Sequence, residues 1–387
     1  MYLISCTNLN LVIMIIGINA INIKSIGGVT HLNEIINNTI NKNLLIKFKI
    51  QKIYIWAPKL TLKNIITNKN IVKIKKEYGL IAGLFWNLYF IRNEIKKYKC
   101  DILFLPDGLN YFYNLKKVIL FQNLLPFDNN EIIKFGLSFN LLKFYFMSIL
   151  YHFSIKKSDG IIFLNKYSKN LIEDKFNYKV NNYAIIPHGI SKNYFETKIQ
   201  KKDNNFNILY VSSFDYYKNQ ISIIKAVSLI NLNKRYNVKL YLVGNYNSSA
   251  IKKIYKHFFK LNKSILKHLI IKNYLSEKSL IRLMGNMDLI CFPSTCESMG
   301  LSLLEGMASH LPVICSNKSS MPKTFKNQKY LFNPYNIKRL VKLIEGLIES
   351  KTEREKLAKS TREEAIKYNW EETSLKTIKF INEIANQ

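Results

Sequence analysis

The run Cys296–Glu–Ser–Met–Gly–Leu–Ser–Leu–Leu–Glu305 holds residue types that could grip a phosphate-bearing, polyhydroxylated ligand. It follows an apolar strand-like segment, Leu289–Ile–Cys–Phe292, that ends at Pro293–Ser–Thr, and it leads into an apolar helical segment starting near Gly300. Glycine lets the backbone approach a ligand closely, and the free amides of a first helical turn favour a diphosphate. A carboxylate facing phosphate is repelled, so Glu297, just before the helix start, suits sugar hydroxyls. Glu305 lies inside the helix, where Cα–Cβ bonds tilt toward the N-terminus. Its head would reach over the ligand end, where a carboxylate suits the vicinal diol of a ribose. Taken alone, the two glutamates read more readily as a helix cap and a solvated side chain; the residues around them decide between the readings.

A second candidate is Lys24–Ser–Ile–Gly–Gly–Val–Thr–His31, between a first apolar strand and the amphipathic stretch Leu32–Ile40. A strand, a Gly27–Gly28 turn and a helix start would offer backbone amides to an anion or a polar substrate; an ordinary tight turn is the equal alternative. Metal chemistry has little support. The chain has no Asp-x-Asp, and its histidines (31, 152, 188, 257, 268, 310) show no triad or ligand spacing. Cysteines 6, 100, 291, 296 and 315 form no Cys-x-x-Cys. Cys291 and Cys315 sit in strand-like runs and read as small hydrophobes. No metal and no cofactor is expected.

The elements that must position these residues alternate along the chain. Strands are predicted over Leu11–Ile18, Lys52–Ala57, Asp101–Leu105, Val118–Phe121, Gly160–Leu164 and Tyr183–Ile186, with helical stretches between most of them. After a junction at Asn181–Lys202 a second series begins: strands Asn207–Ser213, Val238–Val243, His268–Lys272, Leu289–Pro293 and Pro312–Ser316. Helices are predicted at Gln220–Asn231, Ser248–Leu261, Glu277–Met284 and Leu301–Ala308. Helices fill Ile337–Gln387. This is the pattern of doubly wound parallel sheets, whose ligands gather at the carboxyl ends of the strands. With 387 residues and 48% apolar content, two well-filled cores are available.

The net charge is +32, yet lysine supplies 52 of the 58 basic residues and arginine only six. The bias runs along the whole chain, and arginine, the better reader of phosphates and bases, is scarce. Nucleic acid is therefore not expected as a partner; weak contact with anionic membrane is. Leu137–Ile155 is rich in aromatic and aliphatic residues but carries Asn140, Lys143 and His152. It reads as a helix packed between layers, with shallow lipid contact by its outer face as an alternative to a membrane span. Met14 lies within the first apolar run, and a start there would open directly on a strand, making residues 1–13 a leader.

The flanking residues carry a detailed resemblance. Pro293–Ser294, Glu297-x-x-Gly300–Leu301, Leu304–Glu305–Gly–Met–Ala308, Leu311–Pro–Val–Ile314 and Ser316–Asn317 resemble the signature of the retaining family 4 glycosyltransferases, the glycosyl transferases group 1, with the glutamates as its E-x7-E pair. Ile186–Pro–His–Gly–Ile190 resembles its interdomain turn. Ile208–Leu–Tyr–Val–Ser–Ser213 with Lys218–Asn–Gln220 resembles its phosphate-facing strand and loop. Leu240–Tyr–Leu–Val–Gly244 and Ser25–Ile–Gly–Gly–Val29 are similar to its next strand and its acceptor-side glycine loop. Phe121–Gln–Asn–Leu–Leu–Pro–Phe127 and Asp159–Gly–Ile–Ile–Phe163 resemble the bacterial surface-polysaccharide (O-antigen) subset.

The resemblance implies an α/β chain of GT-B architecture: two Rossmann-like domains facing across a cleft, with C-terminal helices packing back toward the first. The corresponding boundaries are 1–195 (acceptor side), 196–370 (nucleotide-sugar side) and 371–387 (returning helix). It implies a retaining hexosyltransferase acting from a nucleotide-diphosphate sugar on a glycan or lipid-linked oligosaccharide, in lipopolysaccharide O-antigen or capsule synthesis, with mannose among the sugars it admits. It implies a cytoplasmic enzyme, peripheral at the inner face of the cytoplasmic membrane. Carried over residue by residue, Lys218 contacts the donor diphosphate. Ser213, Gly244, Ser298, Met299, Gly300 and Leu301 line the donor site, Glu297 meets the transferred sugar and Glu305 the ribose. Gly27, Gly28, Gln122 and Asn123 lie on the acceptor side. Glu297 and Lys218 are the residues assigned to catalysis.

The chain departs from the family where an arginine often precedes the phosphate lysine (here Ser213), where a histidine often stands near Phe121–Gln122–Asn123, and at Lys323, often a glutamate. Two rivals remain: another GT-B enzyme such as a nucleotide-sugar epimerase, and a non-enzymatic basic binding protein.

Overall fold

The structure, a computed structural model, describes residues 13–109, 114–201, 203–245 and 263–387. The leader reading falls almost wholly, and the helix expected over Ser248–Leu261 wholly, outside the described residues.

The first lobe is a parallel sheet of seven strands: β1 (Met14–Asn19), β2 (Ile50–Ala57), β3 (Ile71–Lys75), β4 (Ile102–Leu105), β5 (Lys116–Phe121), β6 (Gly160–Phe163) and β7 (Tyr183–Ile185). Their spatial order is 3-2-1-4-5-6-7. The second lobe is a parallel sheet of six: β8 (Phe206–Val211), β9 (Val238–Val243), β10 (Leu269–Lys272), β11 (Leu289–Phe292), β12 (Val313–Ser316) and β13 (Leu331–Phe332), in the order 10-9-8-11-12-13. The central strands are continuous apolar runs because helices cover both faces of a parallel sheet. Ile16, Ile102, Val118, Ile208 and Leu289 are all fully buried. In each sheet the order reverses once, between β1 and β4 and between β8 and β11. A crevice opens at such a point at the carboxyl ends of the strands.

The longer helices are α1 (Ile26–Asn41), α2 (Phe139–Lys156), α3 (Lys166–Phe176), α4 (Gln220–Leu232), α5 (Glu277–Met284), α6 (Leu301–Ala308), α7 (Ile337–Glu349), α8 (Lys351–Ala365) and α9 (Trp370–Asn386). One expectation is corrected. Gly27 and Gly28 do not form a turn ahead of a helix; they lie inside the first turn of α1, which starts at Ile26. Ser25 is the N-cap, its Oγ accepting from the Gly28 amide, so a capping serine outweighs the weak helix propensity of two glycines. Strands β3 and β13 were not expected. No described helix, α2 included, is long and apolar enough to cross a membrane.

The tail returns to the first lobe: α9 packs on α1 and against β4, β5 and β6. It is tied to the turn Ile186–Pro–His–Gly–Ile190. Ile190 N–H donates to the Tyr368 carbonyl (3.2 Å) and Thr373 Oγ1 to the Pro187 carbonyl (3.0 Å). A Cβ on Gly189 would lie 2.3 Å from the Trp370 nitrogen. The glycine of this interlobe turn is thus the place where two backbones cross.

Candidate functional site

The loops leaving β8 and β11 flank the reversal point of the second sheet and bring Lys218 and Glu297 together. Lys218 ends a short 3-10 turn, Tyr216–Lys218, and Asn219 follows in the left-handed region (φ 52°). The buried Tyr210 pins this turn, donating to the Lys218 carbonyl (2.8 Å) and contacting Ser294 Oγ on the other loop (2.8 Å). Thr295 N–H donates to the Tyr217 carbonyl (2.7 Å), stitching the loops a second time. Lys218 Nζ reaches Glu297 Oε1 at 2.5 Å, with the two side chains only 14% and 10% exposed. Burial alone would lower the lysine's pKa; the Glu297 carboxylate, with the nearby phenol groups of Tyr217 and Tyr210, outweighs it and holds it above the ordinary range. The Lys218 ammonium is therefore charged. The Glu297 backbone is fixed by Ser319 and Ser320, whose hydroxyls donate to its carbonyl (2.9 and 2.7 Å).

Gly300 is the N-cap of α6 with φ 74° and ψ 75°, a left-handed conformation that costs glycine nothing. Having no side chain, it leaves the α6 N-terminus without a side-chain cap. Leu301, half-buried, opens the helix. The expected helix start therefore stands beside the ion pair, with amides and dipole available to an anion. Gly244 follows β9, where a Cβ would lie 1.9 Å from the Ser212 carbonyl oxygen, so it lets the two loops touch. Ser213 Oγ is engaged with Asp215 Oδ2 (3.1 Å).

Glu305 is half-buried on α6. Burial, then the nearby Glu277 carboxylate, raise its pKa to about 8, against a hydrogen bond from Tyr194. Glu277 is held by Ser191 Oγ (2.8 Å) and Asn193 Nδ2 (2.6 Å). Tyr194 and Glu277 escaped the sequence reading because neither sits in a local motif.

The Ser298 carbonyl and the Met299 side chain contact the first lobe and the interlobe turn. The Ser298 carbonyl accepts from Asn165 Nδ2, the side chain that also caps α3. Met299, 2% exposed, takes the His188 amide on its sulfur at 3.3 Å. Cys296 packs in the apolar cluster of the first lobe, and Phe135 meets Tyr216 edge-on at 5.1 Å between ring centres. The carboxyl-end loops of the second sheet thus face the first lobe directly. His31 on α1 and His188 in the turn share a 2.8 Å Nδ1–Nδ1 hydrogen bond beside Trp370. Burial pushes His188 down to about 4 and His31 well below the usual range, the latter helped by His188. Both rings are neutral, one Nδ1 donating to the other.

On the first lobe, Gln122 Nε2 donates to the Pro106 carbonyl (2.7 Å) and Asn123 Oδ1 accepts from the Leu125 amide (3.2 Å). Both expected acceptor-side amides are engaged in shaping the loop after β5. Gly27 has open space where a side chain would be. The reversal point of this sheet holds a residue the sequence reading missed. Asp107, after β4, accepts from Asn22 Nδ2 (2.7 Å), after β1. Burial raises its carboxyl to about 6, opposed by hydrogen bonds from Asn22 and from the backbone. Its position at the end of a strand next to the reversal point was the available signal. Among the described residues no three His, Cys, Asp or Glu side chains cluster as a metal site would need.

Two doubly wound lobes meeting through their carboxyl-end loops define the class, the GT-B architecture. Residues 191–364 match the family model for glycosyl transferases group 1. Among curated relatives, it is 32% identical to sulfoquinovosyl transferase SQD2 of Arabidopsis thaliana over 94 residues, 23% of this chain and 18% of that protein. It is 24% identical to the serotype-specific mannosyltransferase WbdA of Escherichia coli over 169 residues, 43% of this chain and 20% of that protein. The chain thus matches only about a fifth of the length of these relatives. Among solved structures, a glycosyltransferase from Rickettsia africae superposes with TM-score 0.71 at 18% identity, covering 96% of this chain and 98% of that one. Anabaena HepE in complex with UDP-glucose superposes with TM-score 0.71 at 14% identity, covering 94% and 98%.

Proposed function

We propose that the chain transfers a hexose from a nucleoside-diphosphate sugar to a hydroxyl of a glycan or lipid-linked acceptor, with retention at the anomeric carbon, in bacterial surface-polysaccharide synthesis. The observation that carries this is the buried Lys218–Glu297 pair beside the uncapped start of α6, at the reversal point of the second sheet. The donor diphosphate replaces Glu297 as the partner of Lys218, helped by the α6 amides. Glu297 then turns to the hydroxyls of the sugar. Glu305 takes the ribose diol, oriented by Tyr194. As the anomeric C–O bond breaks, negative charge grows on the leaving diphosphate, where Lys218 and the α6 dipole stabilise it.

The acceptor lies across the cleft, near Asn22, Asp107 and the start of α1. Among the described residues no carboxylate stands as an evident nucleophile, so the hydroxyl attacks on the face the diphosphate leaves, which can itself take the proton. The complex of HepE with UDP-glucose and the similarity to the mannosyltransferase WbdA support a hexose donor. The test is product analysis with labelled nucleotide-sugars, with and without a lipid-linked glycan. Label passes to the acceptor, and Lys218→Ala slows transfer by about 10²–10³-fold. Near wild-type transfer by that variant overturns the assignment, and a labelled nucleotide-sugar isomer formed without acceptor would mark an epimerase.

A further inference from the structure

We propose that His31, on the acceptor-side lobe, is a positioning residue for the donor loop of the other lobe, acting through the His188 ring and the Met299 sulfur. That role rests on the reading of the α6 start as the diphosphate site. His31 lies on α1, buried, and its Nδ1 shares a hydrogen bond of 2.8 Å with Nδ1 of His188, 157 residues away in the interlobe turn. The His188 backbone N–H donates to Met299 Sδ at 3.3 Å. Met299 is itself buried and directly precedes Gly300, the N-cap of α6. Two hydrogen bonds thus lead from the first lobe, through one residue of the turn, to the residue before the α6 amides.

The peptide unit between Pro187 and His188 is the lever. A peptide unit is planar, so its carbonyl and its N–H turn together. Thr373, on the tail, holds the carbonyl end, and the N–H end meets Met299. The ring bond to His31 anchors the His188 Cα beside that plane and so sets its tilt. A thioether is a weak acceptor, and the N–H···S contact alone does not orient the plane; the bond between the rings does. Trp370 braces both rings, its centre 5.4 Å from His31 and 6.0 Å from His188. The two rings are neutral and share one proton. The ring that donates is protonated at Nδ1, and its partner, which accepts there, carries its proton at Nε2. The α6 start has no side-chain cap, so the residues ahead of it set the direction of its amides. Asn165 holds that loop at the Ser298 carbonyl, and the histidine path holds it at Met299.

The experiment begins on the full chain without ligand, so its outcome stands whether or not the crevice takes a nucleotide-sugar. Magnetic resonance of protein labelled at the histidine ring nitrogens and methionine methyls follows six histidines and eight methionines. At neutral pH the His31 and His188 rings show opposite neutral tautomers. His31→Phe keeps an aromatic ring beside Trp370 but makes no hydrogen bond, and it shifts and broadens the Met299 methyl signal. His31→Asn puts an amide near the Nδ1 position and restores that signal. Calorimetric titration then shows UDP or GDP bound about tenfold more weakly by His31→Phe, the size of one buried hydrogen bond left unmade, and within about twofold of wild type by His31→Asn. If His31→Phe does not fold, Met299→Leu tests the path from its other end by shifting the His31 ring nitrogens. Identical tautomers in the two rings, a Met299 methyl unmoved by His31→Phe, or His31 nitrogens unmoved by Met299→Leu overturns the proposal. So does wild-type nucleotide affinity in His31→Phe. Spectra as expected, with no nucleotide bound even by wild type, uphold the path from His31 to Met299 and refute the donor site it serves.

Discussion

Substituting Glu297 by Gln separates two effects that an alanine scan would merge. At 2.5 Å and an effective dielectric of about 20, the attraction between Lys218 and Glu297 is about 7 kcal/mol in gross terms. Desolvation offsets most of it, so the measurable quantity is the cost of leaving one charge buried without its partner, about 3–5 kcal/mol for a buried pair. Because the two side chains keep 14% and 10% exposure, the lower end applies, and Glu297→Gln destabilises the free protein by about 3 kcal/mol. Lys218→Met costs a similar amount, and the double variant loses less than the sum, with a coupling of about 2 kcal/mol. Ligand binding moves the other way. A nucleoside diphosphate must compete with Glu297 for Lys218, so Glu297→Gln binds the sugar-free nucleotide about tenfold more tightly. Sugar transfer falls about a hundredfold, because a charged hydrogen bond to the hexose is lost. Denaturant melts of the four proteins and calorimetric titration of UDP and GDP read both effects. Additive stability losses together with unchanged or weaker nucleotide binding in Glu297→Gln would refute the competition on which this reasoning rests.

Glu305, raised to about 8 by burial and then by Glu277, must ionise to accept from a ribose diol. Nucleotide binding at pH 7 therefore releases protons, and affinity rises with pH until about 8; calorimetry in buffers of different ionisation enthalpy shows the release, which Glu305→Gln abolishes. Because the folded-state values of His31 and His188 are depressed, the unfolded chain binds more protons below its ordinary histidine range of about 6.5. Their contribution is fully present above that pH and is lost as pH falls toward about 4, at up to about 1.4 kcal/mol per unit per histidine; His188→Asn flattens this limb in melts between pH 4 and 7. Asp107→Asn raises the acceptor KM with little change in donor affinity. A donor-binding defect of the same size would move Asp107 out of the acceptor crevice.

The sheets were legible because fully buried parallel strands are unbroken apolar runs, as at Leu289–Phe292 and Val238–Val243. β3 was not, because Ile71–Val–Lys–Ile–Lys75 is a lysine-bearing edge strand. Gly27 and Gly28 misled because glycine signals a turn by propensity alone, whereas Ser25 sets the helix start. Within the site, Glu297, Gly300 and Glu305 were visible because one loop and one helix carry all three. That Lys218 binds Glu297 across 79 residues, or that Tyr194 donates to Glu305, depends on how separate segments of the chain are brought together, which local spacing does not encode. His310 is a milder case: it occupies a left-handed turn (φ 60°), its ring held by the Phe195 carbonyl at 3.1 Å.

The central claim is that the crevice between β8 and β11 holds a nucleoside-diphosphate sugar. It is tested most directly by thermal-shift titration of the full chain with UDP, GDP and ADP, with Glu305→Ala as the control. One nucleotide should raise the melting temperature in a saturable way, by about 2.7 kcal/mol of added stability at a hundred times its Kd, and the control should lose most of that shift. No shift with any of the three, or an equal shift in Glu305→Ala, would contradict the account.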